Sequence, residues 1–232
     1  MKPAFLIFFQ LSAMISGASG ATLATYLTGT QSFAASDVAD GITAGNMTTT
    51  GGEWRNSYGT PGNTPAGPNL GTGTGTYWRL FHGNVTSTTL SPTSSALSAT
   101  IATSDGYSFV PATLTFDFAN AIHAAAASSV TSTVGVYVNG TLFTPVFTLT
   151  NTDNNKYKVQ TYSVDLSSLG EITSLSFAIA VADDYTPTTG NVGNFIQGVK
   201  LEGTMVPEPS GVLLLAGCAV LPALRRRRGR DA

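Results

Sequence analysis

Apolar and polar residues alternate along most of this chain in short runs set off by turn residues, a pattern that predicts strands. Residues 114–118 read Leu-Thr-Phe-Asp-Phe, which puts Leu114, Phe116 and Phe118 on one face and Thr115 and Asp117 on the other. Residues 134–138, 162–166 and 175–181 alternate in the same way, and residues 195–201 supply a last strand. Asn139-Gly140 falls between two apolar runs. That pair predicts a type I′ hairpin, whose two central residues both need positive φ. Residues 77–81 read as a core strand with Trp78 and Leu80 inward. Residues 165–170 predict a turn or one helical turn, and residues 122–129 a connection between strands. Strands at this spacing, each with one apolar face, predict an all-β fold: an antiparallel, jelly-roll-like two-sheet sandwich. Its core should hold Leu114, Phe116, Phe118, Val136, Leu175, Phe177 and Ile179.

The pattern breaks in three places. Near the start, a lysine precedes an apolar run over residues 4–15, and the small residues of 16–21 follow. This is the form of a signal peptide over residues 1–21. Residues 51–76 are dominated by Gly, Pro, Thr and Asn and predict a long loop. Near the end, a continuous apolar run over residues 211–224 predicts a single membrane helix, shorter than the roughly 20 residues a comfortable span needs. Arg225, Arg226, Arg227 and Arg228 follow it as a membrane stop, and such a cluster stays in the cytoplasm. The chain thus divides into a signal peptide (1–21), a β-sandwich ectodomain (22–205) and a terminal segment (206–230).

Charge changes the picture once the two ends are set aside. The ectodomain keeps five basic side chains against eleven acidic ones, a net charge of −6. That balance gives no footprint for nucleic acid. The single cysteine, Cys218, lies in the apolar run, so the ectodomain has no disulfide, thiolate nucleophile or thiolate metal site. The two histidines, His82 and His123, sit in different segments, and no nucleophile elbow, zinc-protease motif or phosphate loop is present. The carboxylates show no spacing that singles out a catalytic pair. The chain reads as non-enzymatic.

Two kinds of binding chemistry are left. Trp54 and Tyr58, in the Gly-rich loop, are candidates for stacking on sugar rings. Asp183 and Asp184 offer hard oxygen ligands that suit a structural calcium ion. No other cofactor is indicated.

The terminal segment combines Val206, Pro207, Glu208 and Pro209 with the apolar run and the arginine cluster. This combination resembles the PEP-CTERM sorting signal, a tail family also labelled an ice-binding protein C-terminal domain. The resemblance implies an exosortase-type processing partner. It also implies export with a transient inner-membrane anchor, and delivery to the cell surface or extracellular matrix. The main expectation is therefore a non-enzymatic surface or matrix protein. The alternatives are a carbohydrate-binding module for exopolysaccharide and, third, a polysaccharide hydrolase.

Overall fold

The computed structural model describes residues 20–26, 33–50, 79–82, 88–122, 129–152, 157–184 and 192–207. They contain β1 (Ala21–Tyr26), β2 (Asp37–Val38), β3 (Ile42–Ala44), β4 (Thr48–Thr50), β5 (Arg79–His82) and β6 (Ala96–Thr103). There follow β7 (Tyr107–Ile122), β8 (Val130–Val138), β9 (Thr141–Asn151), β10 (Tyr157–Asp165), β11 (Ser174–Asp183) and β12 (Val192–Pro207). The signal segment, the loop at 51–76, the connection at 123–128 and the run at 211–224 lie wholly or almost wholly outside the described residues. Among the described residues no helix is long and apolar enough to cross a membrane.

The strands form two antiparallel sheets. Sheet A has the order β10-β7-β12-β1-β2, with β5 also on β12, and sheet B the order β3-β6-β11-β8-β9, with β4 also on β6. From β6 onward the chain passes repeatedly from one sheet to the other, which gives β1-β12-β7-β10 facing β6-β11-β8-β9. This is the strand order of a jelly roll.

The core lies between the sheets, and the period-2 pattern places it correctly. Leu114, Phe116, Phe118, Val136, Leu175, Phe177 and Ile179 are all at most 2 % exposed. Each contributes about 1.5–3 kcal/mol by leaving water. Aromatic rings join the sheets: Phe147 of β9 stacks on Tyr162 of β10 with centroids 4.3 Å apart, and Phe116 packs near both.

Asn139-Gly140 forms the expected tight turn, with φ of 49° and 81°, between the paired Val138 and Thr141. Residues 165–170 also behave as expected, with one 3-10 turn at Ser167–Leu169. Of the strand expected at 77–81, the described part is β5, and Trp78 lies outside the described residues. One strand differs from expectation. β12 does not close at 201 but runs on to Pro207. Within it lies a bulge at Gly198, where φ is 60° and the register steps from Gln197 to Lys200 against Asp117 to Thr115 on β7. Buried positions before the bulge are Asn194 and Ile196, and after it Val199 and Leu201. The extra residue resets the alternation, so the strand does not read as one period in the sequence.

Two glycines test this account. At Gly140 a side chain would meet open space, so Gly140→Val should act through backbone strain alone and destabilise by about 1–3 kcal/mol. At Gly203 a Cβ would press on the Val110 carbonyl and the Leu23 side chain. Gly203→Val should therefore destabilise by at least about 1–3 kcal/mol through overpacking between β12 and β7. Chemical denaturation of both variants checks this; an unchanged midpoint for Gly140→Val would mean that the turn tolerates a β-branched residue.

Candidate ligand-binding groove

The outward face of sheet B carries a groove of about 400 Å³. Its floor follows from strand register. Thr48 on β4 is opposite Ser98 on β6, Ser98 is opposite Ala178 on β11, and Ala178 is opposite Tyr137 on β8. These four residues make one row across four strands. A second row lies two residues along, where Thr100 of β6 is opposite Ser176 of β11. That row is closed on one side by Gly45, whose N–H donates to the Thr100 carbonyl at 2.8 Å. On the other side the Asn139 side chain accepts from the Ser176 N–H at 3.0 Å.

Hydroxyls pair within each row. Thr48 Oγ1 and Ser98 Oγ are 3.0 Å apart, and Thr100 Oγ1 and Ser176 Oγ 2.8 Å. Each pair shares one hydrogen bond; the Thr100–Ser176 pair keeps a proton and lone pairs for a ligand, whereas Thr48 Oγ1 also donates to the Ser98 carbonyl at 3.3 Å, which leaves that pair its lone pairs. Tyr137 gives the groove an aromatic ring, and its hydroxyl donates to the Leu90 carbonyl at 3.1 Å. Leu90 lies over Gly135 on the outward side of β8, so the segment carrying Leu90 and Pro92 walls one flank. Asn46 and Thr48 wall the other. No lining residue carries a charge. The groove therefore offers hydroxyl donors and acceptors and one ring, but no acid–base pair.

None of the expected site residues that are described lines the groove. Trp54 and Tyr58 lie outside the described residues, as do Glu208, Pro209 and Arg225, Arg226, Arg227 and Arg228. Val206 and Pro207 do not form a segment separate from the sandwich. They end β12, opposite Ser108 and Tyr107 of β7. Asp183 and Asp184 do not point the same way: Asp183 ends β11 with its side chain buried, and Asp184, just past the strand, turns its side chain out. Asp184 is exposed and its Oδ1 accepts from the Thr131 N–H at 2.8 Å. Asp183 is 3 % exposed, and its Oδ2 accepts from Asn194 Nδ2 at 2.8 Å. Burial pushes the Asp183 carboxyl up to about 6; the Ser132 hydroxyl near it and the Asn194 amide pull against this, and the Asp184 charge adds to it.

Three further carboxylates are held on separate partners. Asp117 accepts from Thr161 at 2.6 Å, Glu171 accepts from Ser108, and Glu202 pairs with Lys200 at 2.5 Å. Among the described residues no three His, Cys, Asp or Glu side chains come together. The groove residues escape a reading of the sequence because each is an ordinary Ser, Thr or Tyr on the polar side of its own strand. Only the order β4-β6-β11-β8 assembles them, and the available signal is the lack of charge at those polar positions.

No family model matches the chain, and no curated protein matches it. Among solved structures it is similar to a family 35 carbohydrate-binding module from an environmental isolate. The identity is 14 %, the match covers 73 % of this chain and 92 % of that one, and the TM-score is 0.33. It is also similar to a module specific for non-crystalline cellulose, at 15 % identity over 47 % of this chain and 66 % of that one, with a TM-score of 0.29. A third similar structure is the sugar-binding C-terminal domain of EclA, at 12 % identity over 64 % and 92 %, with a TM-score of 0.28. At these scores the likeness says nothing about what this chain binds.

Proposed function

We propose that this chain is an exported, non-enzymatic surface or matrix protein whose sandwich holds a neutral polysaccharide in the groove on sheet B. The observation that carries the binding role is the uncharged groove floored by paired hydroxyls. A sugar chain presents hydroxyls that exchange hydrogen bonds with such a floor, and one apolar ring face that can rest on Tyr137. The ectodomain's charge of −6 repels anionic polymers, so the ligand is a neutral glycan. The groove supplies no general acid or base, which favours retention over turnover. The similar solved structures are themselves sugar-binding modules, which agrees with this role without carrying it.

Export and sorting rest on the two ends of the sequence. A signal peptide would deliver the chain across the inner membrane, and the PEP-CTERM-like tail would hold it there until an exosortase-type enzyme cuts near Glu208. β12 runs to Pro207, directly before Glu208 and Pro209. Cutting beyond Pro207 would leave every described strand whole.

Two measurements test these roles. In affinity electrophoresis through gels holding neutral or anionic polysaccharides, the protein should be retarded by a neutral one. Ser176→Glu places charge and bulk at an exposed floor position and should weaken that retention at least about tenfold, or ~1.4 kcal/mol. Retention lost by Trp54→Ala and kept by Ser176→Glu would move the site to the Gly-rich loop. For sorting, the intact mass of protein released from a host with an exosortase should lack Cys218 and the arginines. Released protein that still carries them would make the tail a plain anchor.

A further inference from the structure

One layer of the core is polar. Asn120 of β7 is opposite Asn194 of β12 in sheet A, and Ser132 of β8 is opposite Asp183 of β11 in sheet B. All four side chains are at most 3 % exposed, so the two pairs face each other between the sheets. A chain of hydrogen bonds links them. Asn120 Nδ2 donates to Ser132 Oγ at 3.1 Å and to the Leu149 carbonyl at 2.8 Å. Ser132 Oγ donates to Asn194 Oδ1 at 3.1 Å, and Asn194 Nδ2 donates to Asp183 Oδ2 at 2.8 Å.

The orientations are forced. The Leu149 carbonyl can only accept, so Asn120 must turn its nitrogen toward it and its oxygen away. Asn194 must turn its nitrogen toward an ionised Asp183 for the same reason. With the donors so placed, two buried acceptors have no partner: Asn120 Oδ1 and Asp183 Oδ1. The groups that act on Asp183 are two neutral side chains and a second negative charge, Asp184. The layer therefore has an excess of acceptors and a buried negative charge, and no described side chain in it is positive.

We propose that this layer binds a hard divalent cation of the calcium class, anchored between the sheets by Asp183 Oδ1 and Asn120 Oδ1. An all-oxygen site with one carboxylate selects calcium over thiolate- and imidazole-seeking metals. Calcium takes 6–8 oxygen ligands and accepts irregular geometry, so two side-chain oxygens anchor an ion that carbonyls and water complete. The layer lies where strands end: Asp183 is the last residue of β11, and Asn120, Ser132 and Asn194 are each two residues from a strand terminus. The single carboxylate sets the affinity in the weak range of extracellular modules, a Kd of roughly 0.1–1 mM. Asp184, whose side chain turns out, takes no part. The site is at the far end of β8 from Asn139, so it clamps the sheets and does not touch the groove.

The test uses the full chain, stripped with a chelator at pH 7.5 and titrated with calcium chloride, with magnesium and sodium chloride as comparators. Thermal unfolding should rise by several degrees with calcium, saturating near millimolar ion, and elemental analysis after equilibrium dialysis should give one calcium per chain. Asp183→Asn keeps the shape and the bond to Asn194 and should lose the calcium shift; Asp184→Asn should keep it. An unshifted wild type without bound calcium, together with an Asp183→Asn variant as stable as the wild type or more so, would overturn the proposal: the layer would then hold a proton. Loss of the shift in Asp184→Asn alone would also overturn it, because the ion would be on the surface.

Discussion

β12 is hydrogen-bonded along both sides, and the sandwich depends on that. On one side it pairs with β7 from Val192 to Pro207, and on the other with β5 over Val192–Phe195 and with β1 over residues 199–203. It comes last in the described chain, yet it is central in sheet A. Sheet A therefore cannot close until the chain is nearly complete. Long-range pairing of this kind is slow because loop closure is lost before the contacts are gained. The Gly198 bulge lets one strand serve both stretches of β7 while Ile196 and Val199 both face inward.

The same strand links the fold to the tail. Thr204, Met205, Val206 and Pro207 pair with Val110, Phe109, Ser108 and Tyr107. Proline gives no N–H to a ladder, so Pro207 is a natural last residue for β12. β12 thus runs up to the residue at which the sorting-like motif begins its Pro-Glu-Pro.

What could be read in the sequence follows from what a period-2 pattern encodes. It encodes the face of each residue on its own strand, and so the buried set on β7, β8 and β11 was legible. Asn139-Gly140 was legible because its backbone demand is local. Long-range partnership is not encoded. The row Thr48, Ser98, Ala178 and Tyr137 joins residues up to 130 positions apart through register alone. The inward turn of Asp183 was hidden for another reason. Asp183-Asp184 looks like a turn pair, but the apolar alternation of β11 carries on through Ile179 and Val181 to Asp183. Period 2 thus puts a carboxylate where the pattern calls for an apolar residue.

The two outer faces differ in a way that bears on which could hold a ligand. On sheet A the outward positions include Asp117, Lys200 and Glu202, which bond to Thr161, to each other and to Thr113. A neutral ligand there would have to strip water from charges and offer nothing equivalent in return. On sheet B the outward positions of β6, β11 and β8 are Ser, Thr, Ala, Gly and Tyr only. Hydroxyls are far less costly to desolvate than ions, and here they are already paired in the groove floor. A glycan replaces the water over such a floor with hydroxyls of the same chemistry. The absence of charge that made these strands look uninformative in the sequence is thus the property that makes their outer face suited to a neutral polymer.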